Sequence, residues 1–287
     1  MFGEAGNDVY GVDNAGDVVT ETAGGGFDTV YSSVSHTLAG NVEALFLVEG
    51  AGAINGTGNT LGNVLIGNAD HNVLTGGGGD DIYGVDGNGD TVVEATSGGY
   101  DEVYASGNYT MAANTETLFL TGSAVYATGN ASNNALIGND LDNIIDAAGG
   151  TFEFINGGAG NDLLIGGAGH DEITGGAGND TFRFTAVADV FNGSVNVGDF
   201  IYDFTPGQDH IQINAAAFGI GTGANPLVEG VSFVNGPDVT SAVPTLLYTQ
   251  ANGTLFYDAD GTGAQAPIVM AVLNGTPALH AADFLVY

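Results

Sequence analysis

Positive charge is almost missing from this chain. Its 287 residues include one Lys or Arg, Arg183, against 34 Asp plus Glu, a formal net charge of −33. With no basic footprint, nucleic acid, anionic membranes and polyanionic polysaccharides are disfavoured as partners. Such a chain also repels itself until cations arrive, so folding is expected to depend on metal. A solvated, halophile-type surface is the alternative reading of the acidity. Cysteine is absent, which removes disulfides and thiolate metal sites and is compatible with export. Residues 1–30 lack both the basic region and the apolar run of a secretory signal peptide. The longest apolar stretches fall far short of the ~20 residues that span a bilayer, so no membrane insertion is expected.

Catalytic signatures are missing too. The five histidines, His36, His71, His170, His210 and His280, are scattered and none belongs to HExxH, the pattern that would place two imidazoles on one zinc ion. There is no GxSxG elbow, no P-loop and no dinucleotide fingerprint. Carboxylates are plentiful, but their spacing follows a repeat rather than a cleft. The chain is therefore not expected to be an enzyme, and no catalytic or organic-cofactor residue is assigned.

What is present is glycine, 50 residues of it, with a 44% hydrophobic content that argues against permanent disorder. Residues 157–183 read GGAGNDLLI, GGAGHDEIT, GGAGNDTFR, three back-to-back nonapeptides, a period that marks repeat architectures. Glycine holds places one, two and four (Gly157, Gly158, Gly160; Gly166, Gly167, Gly169; Gly175, Gly176, Gly178), aspartate place six (Asp162, Asp171, Asp180) and an apolar residue place eight (Leu164, Ile173, Phe182). Six residues of Gly, Asn and Asp form a turn; the residues around place eight form a short strand. Each unit is too small to be stable alone, so strands must stack and pool their apolar residues. With two nonapeptides per coil, residues 18 apart face one another, which pairs Asp162 with Asp180. Strands lie ~4.8 Å apart and calcium takes oxygen ligands at ~2.4 Å, so stacked aspartates can hold an ion between them. The glycines would turn backbone carbonyls toward it. The imidazole of His170, at variable place five, is expected to face solvent.

A longer repeat encloses the short one. GNDVYGVDNAGDVV from Gly6 returns as GDDIYGVDGNGDTV from Gly79, 73 residues on, and the same offset relates Phe27–Tyr31 to Tyr100–Tyr104. Two related units thus occupy about residues 3–75 and 76–146. Weaker nonapeptides inside them put Asp8 and Asp81 at place six as further metal candidates, and 23–31 places Asp28 there too. At Asn63, Asn72, Asn134 and Asn143 that place is asparagine, one neutral oxygen in place of a charged pair, so these coils are expected to stack while binding calcium weakly or not at all. Ten residues, 147–156, fit one nonapeptide plus one insertion; Glu153 then falls at place six, facing Asp171, and Asn143 faces Asp162. The roll is expected to continue through this insertion. Asp13-x-Ala15-x-Asp17 and Asp86-x-Asn88-x-Asp90 read as turns joining two strands rather than as EF-hand loops.

After Arg183 the nonapeptides stop. Residues 245–263 read as a hairpin, LLYTQ, a turn at Ala251-Asn252-Gly253, and TLFYD. A solenoid needs its open apolar end covered, and residues 184–287 supply a β-rich cap. Asp258-x-Asp260-Gly reads equally as a turn or as one more calcium site.

The nonapeptides resemble the RTX (repeats-in-toxin, hemolysin-type calcium-binding) family of secreted bacterial proteins. The tail resembles the C-terminal region of RTX proteases and lipases, through Asp199, Ile201, Asp203-Phe204, Gly207, Asp209 and Ile211. That resemblance implies an all-β fold, a right-handed parallel β-roll with several calcium ions in its turns. It implies export by a type I secretion apparatus that reads an apolar C-terminus such as Asp283–Tyr287, and a secreted or cell-surface location. The expected organisation is two degenerate solenoid units over 1–146, a regular calcium-binding roll over 147–183, and a capping and secretion-signal domain over 184–287. The repeat-like start suggests a piece of a longer protein, with room for a catalytic domain before residue 1. The expected role is a calcium-binding folding and export module of such a protein. The alternative is a calcium-stabilised adhesin or surface-layer segment that contacts other surface proteins or copies of itself.

Overall fold

A computed structural model describes residues 1–190, 198–220, 230, 232–236 and 242–287. Part of the expected cap, 191–197, 221–229, 231 and 237–241, lies outside the described residues. The chain divides into two units, Met1–Tyr126 and Ala127–Tyr287. Both are parallel β-solenoids of stacked coils, and among the described residues no helix is long and apolar enough to cross a membrane.

In the first unit, strands Val9–Val12, Thr29–Ser32, Ala44–Leu47, Val64–Ile66, Ile82–Val85, Glu102–Ala105 and Thr117–Leu120 pair in parallel, in that order. A second ladder runs through His36–Thr37, Gly56–Thr57, Val73–Thr75 and Thr91–Val93. The register puts one apolar side chain per coil on the inside. Tyr10, Val30, Leu45, Leu65, Tyr83, Val103 and Leu118 follow one another and are all buried. A buried aliphatic side chain contributes ~1.5–3 kcal/mol, whereas ordering each backbone residue costs ~1–2 kcal/mol. A coil with one or two such side chains therefore depends on its neighbours.

Coil length varies. Backbone or side-chain bonds link Asp8 to Asp28, Asp28 to Glu43, Glu43 to Asn63 and Asn63 to Asp81 at separations of 20, 15, 20 and 18 residues. The 73-residue repeat is thus four coils of unequal length. Both Asp-x-x-x-Asp segments are turns: Asp17 Oδ2 accepts from the N–H groups of Asp13 and Asn14, and Asp90 Oδ2 from that of Asp86.

In the second unit, Ala135–Ile137, Phe154–Ala159, Glu172–Ala177, Asp199–Ile201 and Ile268–Leu273 form one parallel ladder. Ile144–Asp146, Leu163–Ile165, Thr181–Phe184, His210–Ile213 and Phe284–Val286 form the other. Both ladders run through the insertion at 147–156, Ala135 pairing with Phe154 and Ile144 with Leu163. The regular spacing of 18 returns beside it, where Phe154 pairs with Glu172. The tail supplies the last strands of both sheets, which is how the apolar end is covered. The hairpin is present, Thr245–Thr249 antiparallel to Thr254–Asp258, and packs on Ile268–Leu273. Arg183 donates to Gln212 Oε1 at 2.6 Å and lies 4.9 Å from the ring centroid of Tyr287, so the one cationic side chain fastens the edge strand.

Candidate metal centre

The place-six carboxylates form two columns in the second unit. In one, Asp162 Oδ1 accepts from Asn143 N–H at 2.7 Å, Asp180 Oδ1 from Asp162 N–H at 2.9 Å and Asp209 Oδ1 from Asp180 N–H at 2.9 Å. In the other, Asp171 Oδ1 accepts from Glu153 N–H at 3.0 Å, and Asp199 Oδ1 from Asp171 N–H at 3.1 Å. The pairs expected from the spacing, Asp162 with Asp180, Glu153 with Asp171 and Asn143 with Asp162, are all in contact. Each bond uses one oxygen, and the second oxygen of Asp209 is taken by Thr205 N–H at 2.7 Å. Asp162 Oδ2, Asp171 Oδ2 and both oxygens of Glu153 are buried with no hydrogen-bond partner.

The glycines shape the space around those oxygens. A Cβ on Gly157, Gly166 or Gly175 would fall against Oδ2 of Asp162, Asp171 or Asp180 respectively, so place one must be bare for the carboxylate to turn inward. Places two and four, Gly158, Gly160, Gly167, Gly169, Gly176 and Gly178, have positive φ. At Gly178 (φ 145°) a side chain would also strike the carbonyl of Gly160 in the coil below.

Burial is the first cause of a raised carboxyl pKa at several of these groups. Asp162 is pushed up to about 7, burial and the charges of Asp180 and Asp142 outweighing the Asn143 N–H. Asp180 and Asp209 are raised for the same leading reason, and Asp199 well above the usual range. Glu153 is raised by burial and by the facing Asp171 carboxyl. Inward, acidic and unpartnered, Asp162 Oδ2, Asp171 Oδ2 and the Glu153 oxygens make a hard donor set that fits calcium.

The asparagine coils solve the same problem differently. Asn63 Oδ1 accepts from Asn59 N–H at 2.7 Å, and its Nδ2 donates to Val42 O at 3.0 Å. Asn72 repeats this with Asn68 N–H and Ile54 O, both at 2.7 Å. The amide N–H₂ supplies positive hydrogens to a carbonyl of the coil below, the electrostatic role a cation would fill.

Three aspartates of the tail join the columns or their turns. Asp199 and Asp209 extend the two columns, and Asp203 accepts from Gly175 N–H at 2.9 Å and Gly176 N–H at 2.8 Å. They were not legible as site residues, because the coils that carry them are 28 and 29 residues long. Asp8 and Asp81 stand in the first unit, where their N–H groups donate to Asp28 Oδ1 and Asp101 Oδ1. Asp81 is raised to about 7 and Asp101 to about 6, burial leading in both. At Asp258 the side chain closes a turn, its Oδ1 accepting from Asp260 and Gly261 N–H. His170 is not solvent-facing as expected. It is half-buried, its Nδ1 2.6 Å from Gly198 O and its ring 5.9 Å from that of Phe152, because the residue that leads into the strand Asp199–Ile201 comes against it.

The RTX calcium-binding nonapeptide repeat model matches four copies, over residues 57–92 and 148–182. No curated protein matches the chain. Among solved structures, the solution structure of the AlgE6R3 subunit from the Azotobacter vinelandii mannuronan C5-epimerase is 26% identical. That match covers 56% of this chain and 78% of that one, with a TM-score of 0.34. The chain therefore carries an RTX-type calcium-binding repeat region on a parallel β-solenoid.

Proposed function

We propose that this chain is a non-enzymatic calcium-dependent folding and export module of a larger secreted protein. The observation that carries the reading is the double column of buried place-six carboxylates, in which the aspartates keep one oxygen on a backbone N–H and Asp162, Asp171 and Glu153 leave others without a partner. Asp162, Asp171 and Asp180 would hold calcium, with Glu153 beside Asp171. Bound calcium supplies the opposite charge that burial otherwise denies them. Where calcium is scarce the columns repel and the chain stays unfolded, a form suited to a narrow secretion channel. In millimolar calcium outside the cell the turns fill and the solenoid forms. A ligand at a hundred times its dissociation constant stabilises the folded state by about 2.7 kcal/mol per site, so a few sites suffice. In this reading a type I apparatus would recognise the apolar chain end, Phe284–Val286, which forms an edge strand. Circular dichroism of the full chain in chelator and then in calcium tests the reading: strand signal must fall and return, and a signal indifferent to chelation contradicts it.

One observation favours the adhesin alternative. Tyr31 stacks on Phe46 at 5.2 Å, and the repeat-related Tyr104 on Phe119 at 4.6 Å, with Tyr31 and Tyr104 exposed. Self-association that follows calcium and is lost on Tyr31→Ser with Tyr104→Ser would support it; a monomer at all calcium levels that binds no surface protein would not.

A further inference from the structure

We propose that the first unit holds a second, separate class of calcium site, built twice: from Asp8, Glu21 and Asp28, and from Asp81, Glu94 and Asp101. It shares with the reading above only the identity of the ion and does not require calcium to drive folding.

In each group one oxygen from each of the three side chains lies within 4.8 Å of the others. Calcium takes oxygen at ~2.4 Å, so ligands on opposite sides of one ion stand up to ~4.8 Å apart. Asp28, Asp81 and Asp101 are fully buried, and the Oδ2 of each has no hydrogen-bond partner. No Lys or Arg belongs to this unit, since Arg183 is the only one in the chain. Three buried or half-buried carboxylates therefore converge with no protein cation to balance them. The space between them is kept open by glycine. A Cβ on Gly76 would fall against Tyr83 Oη, Asp81 Oδ2 and Glu94 Oε1, and one on Gly3 against Tyr10 Oη and Glu21 Oε1. The phenols of Tyr10 and Tyr83 donate to Glu21 Oε1 and Glu94 Oε1, which aims the glutamates.

These sites differ from the nonapeptide columns in their glutamates. Glu21 and Glu94 occupy no nonapeptide place; they come from the coils of 20 residues whose extra length loops a glutamate back to the aspartates on either side. Every member recurs at the 73-residue offset: Gly3 and Gly76, Asp8 and Asp81, Tyr10 and Tyr83, Glu21 and Glu94, Asp28 and Asp101.

The phenols provide the test. The chain has no tryptophan, so terbium bound at these sites takes its excitation from Tyr10 and Tyr83. Terbium luminescence excited through tyrosine, and calcium stoichiometry by isothermal titration, are measured on the full chain. The unsubstituted chain should give sensitised emission that calcium competes away. Glu21→Gln with Glu94→Gln should lose that emission and bind one calcium fewer per site. Tyr10→Phe with Tyr83→Phe, which leaves the carboxylates in place, should keep the calcium count and lose most of the emission. Asp162→Asn with Asp180→Asn should keep it. Emission unchanged in the phenylalanine variant, or an unchanged calcium count in the glutamine variant, overturns the proposal. Strand content indifferent to chelator, with these outcomes intact, would sink only the folding reading.

Discussion

Replacing Asp162 by asparagine isolates what one charge does. The asparagine coils already carry the answer, since Asn63 and Asn72 fill the same place with an amide that bonds inside its own turn and to the coil below. Asp162→Asn is therefore expected to act with opposite signs in two conditions. In chelator it removes a buried carboxylate whose second oxygen has no partner, and stability rises, by about 1–3 kcal/mol, the cost of an unsatisfied buried group. In calcium it removes a ligand, and the calcium midpoint for folding moves up. Circular dichroism across a calcium titration reads both, as the strand signal left in chelator and as the calcium midpoint; less strand signal in chelator than in the unsubstituted chain contradicts the account. Among the side chains, the aspartates at fixed spacing were legible because period and chemistry coincide there. Glu21, Glu94 and the burial of His170 were not, since a residue's neighbour across coils depends on the length of the coil between them.

At the scale of the turn and strand, the tail aspartates connect the cap to the repeat. Asp203 accepts two N–H groups from Gly175 and Gly176; hydrogen bonds to charged groups contribute ~1.5–3 kcal/mol when buried and less at a half-buried, solvent-screened carboxylate such as this one. Asp203→Ala should lower the stability of the calcium-loaded protein by about 2 kcal/mol, measured by urea unfolding; no change would mean that the tail merely lies over the turns. Gly178→Ala should cost more. The turn requires φ 145° there, and the carbonyl of Gly160 occupies the space of a methyl group. Strain and overpacking add, and the expected loss exceeds about 3 kcal/mol in calcium, read from the thermal midpoint. Strands, hairpin and apolar ladder were readable from alternation and repeat. The pairing of Asp171 with Asp199 and of Asp180 with Asp209 was not, because after Arg183 the coils lengthen to 28 and 29 residues and no period carries across.

For the molecule as a whole, charge dominates: −33 with one cation. Its pH dependence follows from the raised carboxyls. Asp81 and Asp162 are pushed up to about 7 and Asp101 to about 6, above an unfolded value of 3.8. A carboxyl whose folded pKa is raised contributes stability that is fully present below the unfolded value and lost as pH climbs through the folded one. In chelator the strand signal by circular dichroism should therefore be greatest near pH 4 and fall between pH 4 and 7. Excess calcium should reverse the trend, because binding requires the deprotonated forms. A chelated protein equally stable at pH 4 and 7 would contradict the assignment.

The central claim is that calcium holds the stacked turns of the second unit together. Hydrogen exchange of the backbone amides, followed by mass spectrometry on the full chain in chelator and in calcium, reads it most directly. The N–H groups of Asn143, Glu153, Asp162, Asp171 and Asp180, each bonded to the carboxylate of the next coil, should exchange freely in chelator and become protected together as calcium is added. Equal protection of the segment 143–183 in both buffers would contradict it.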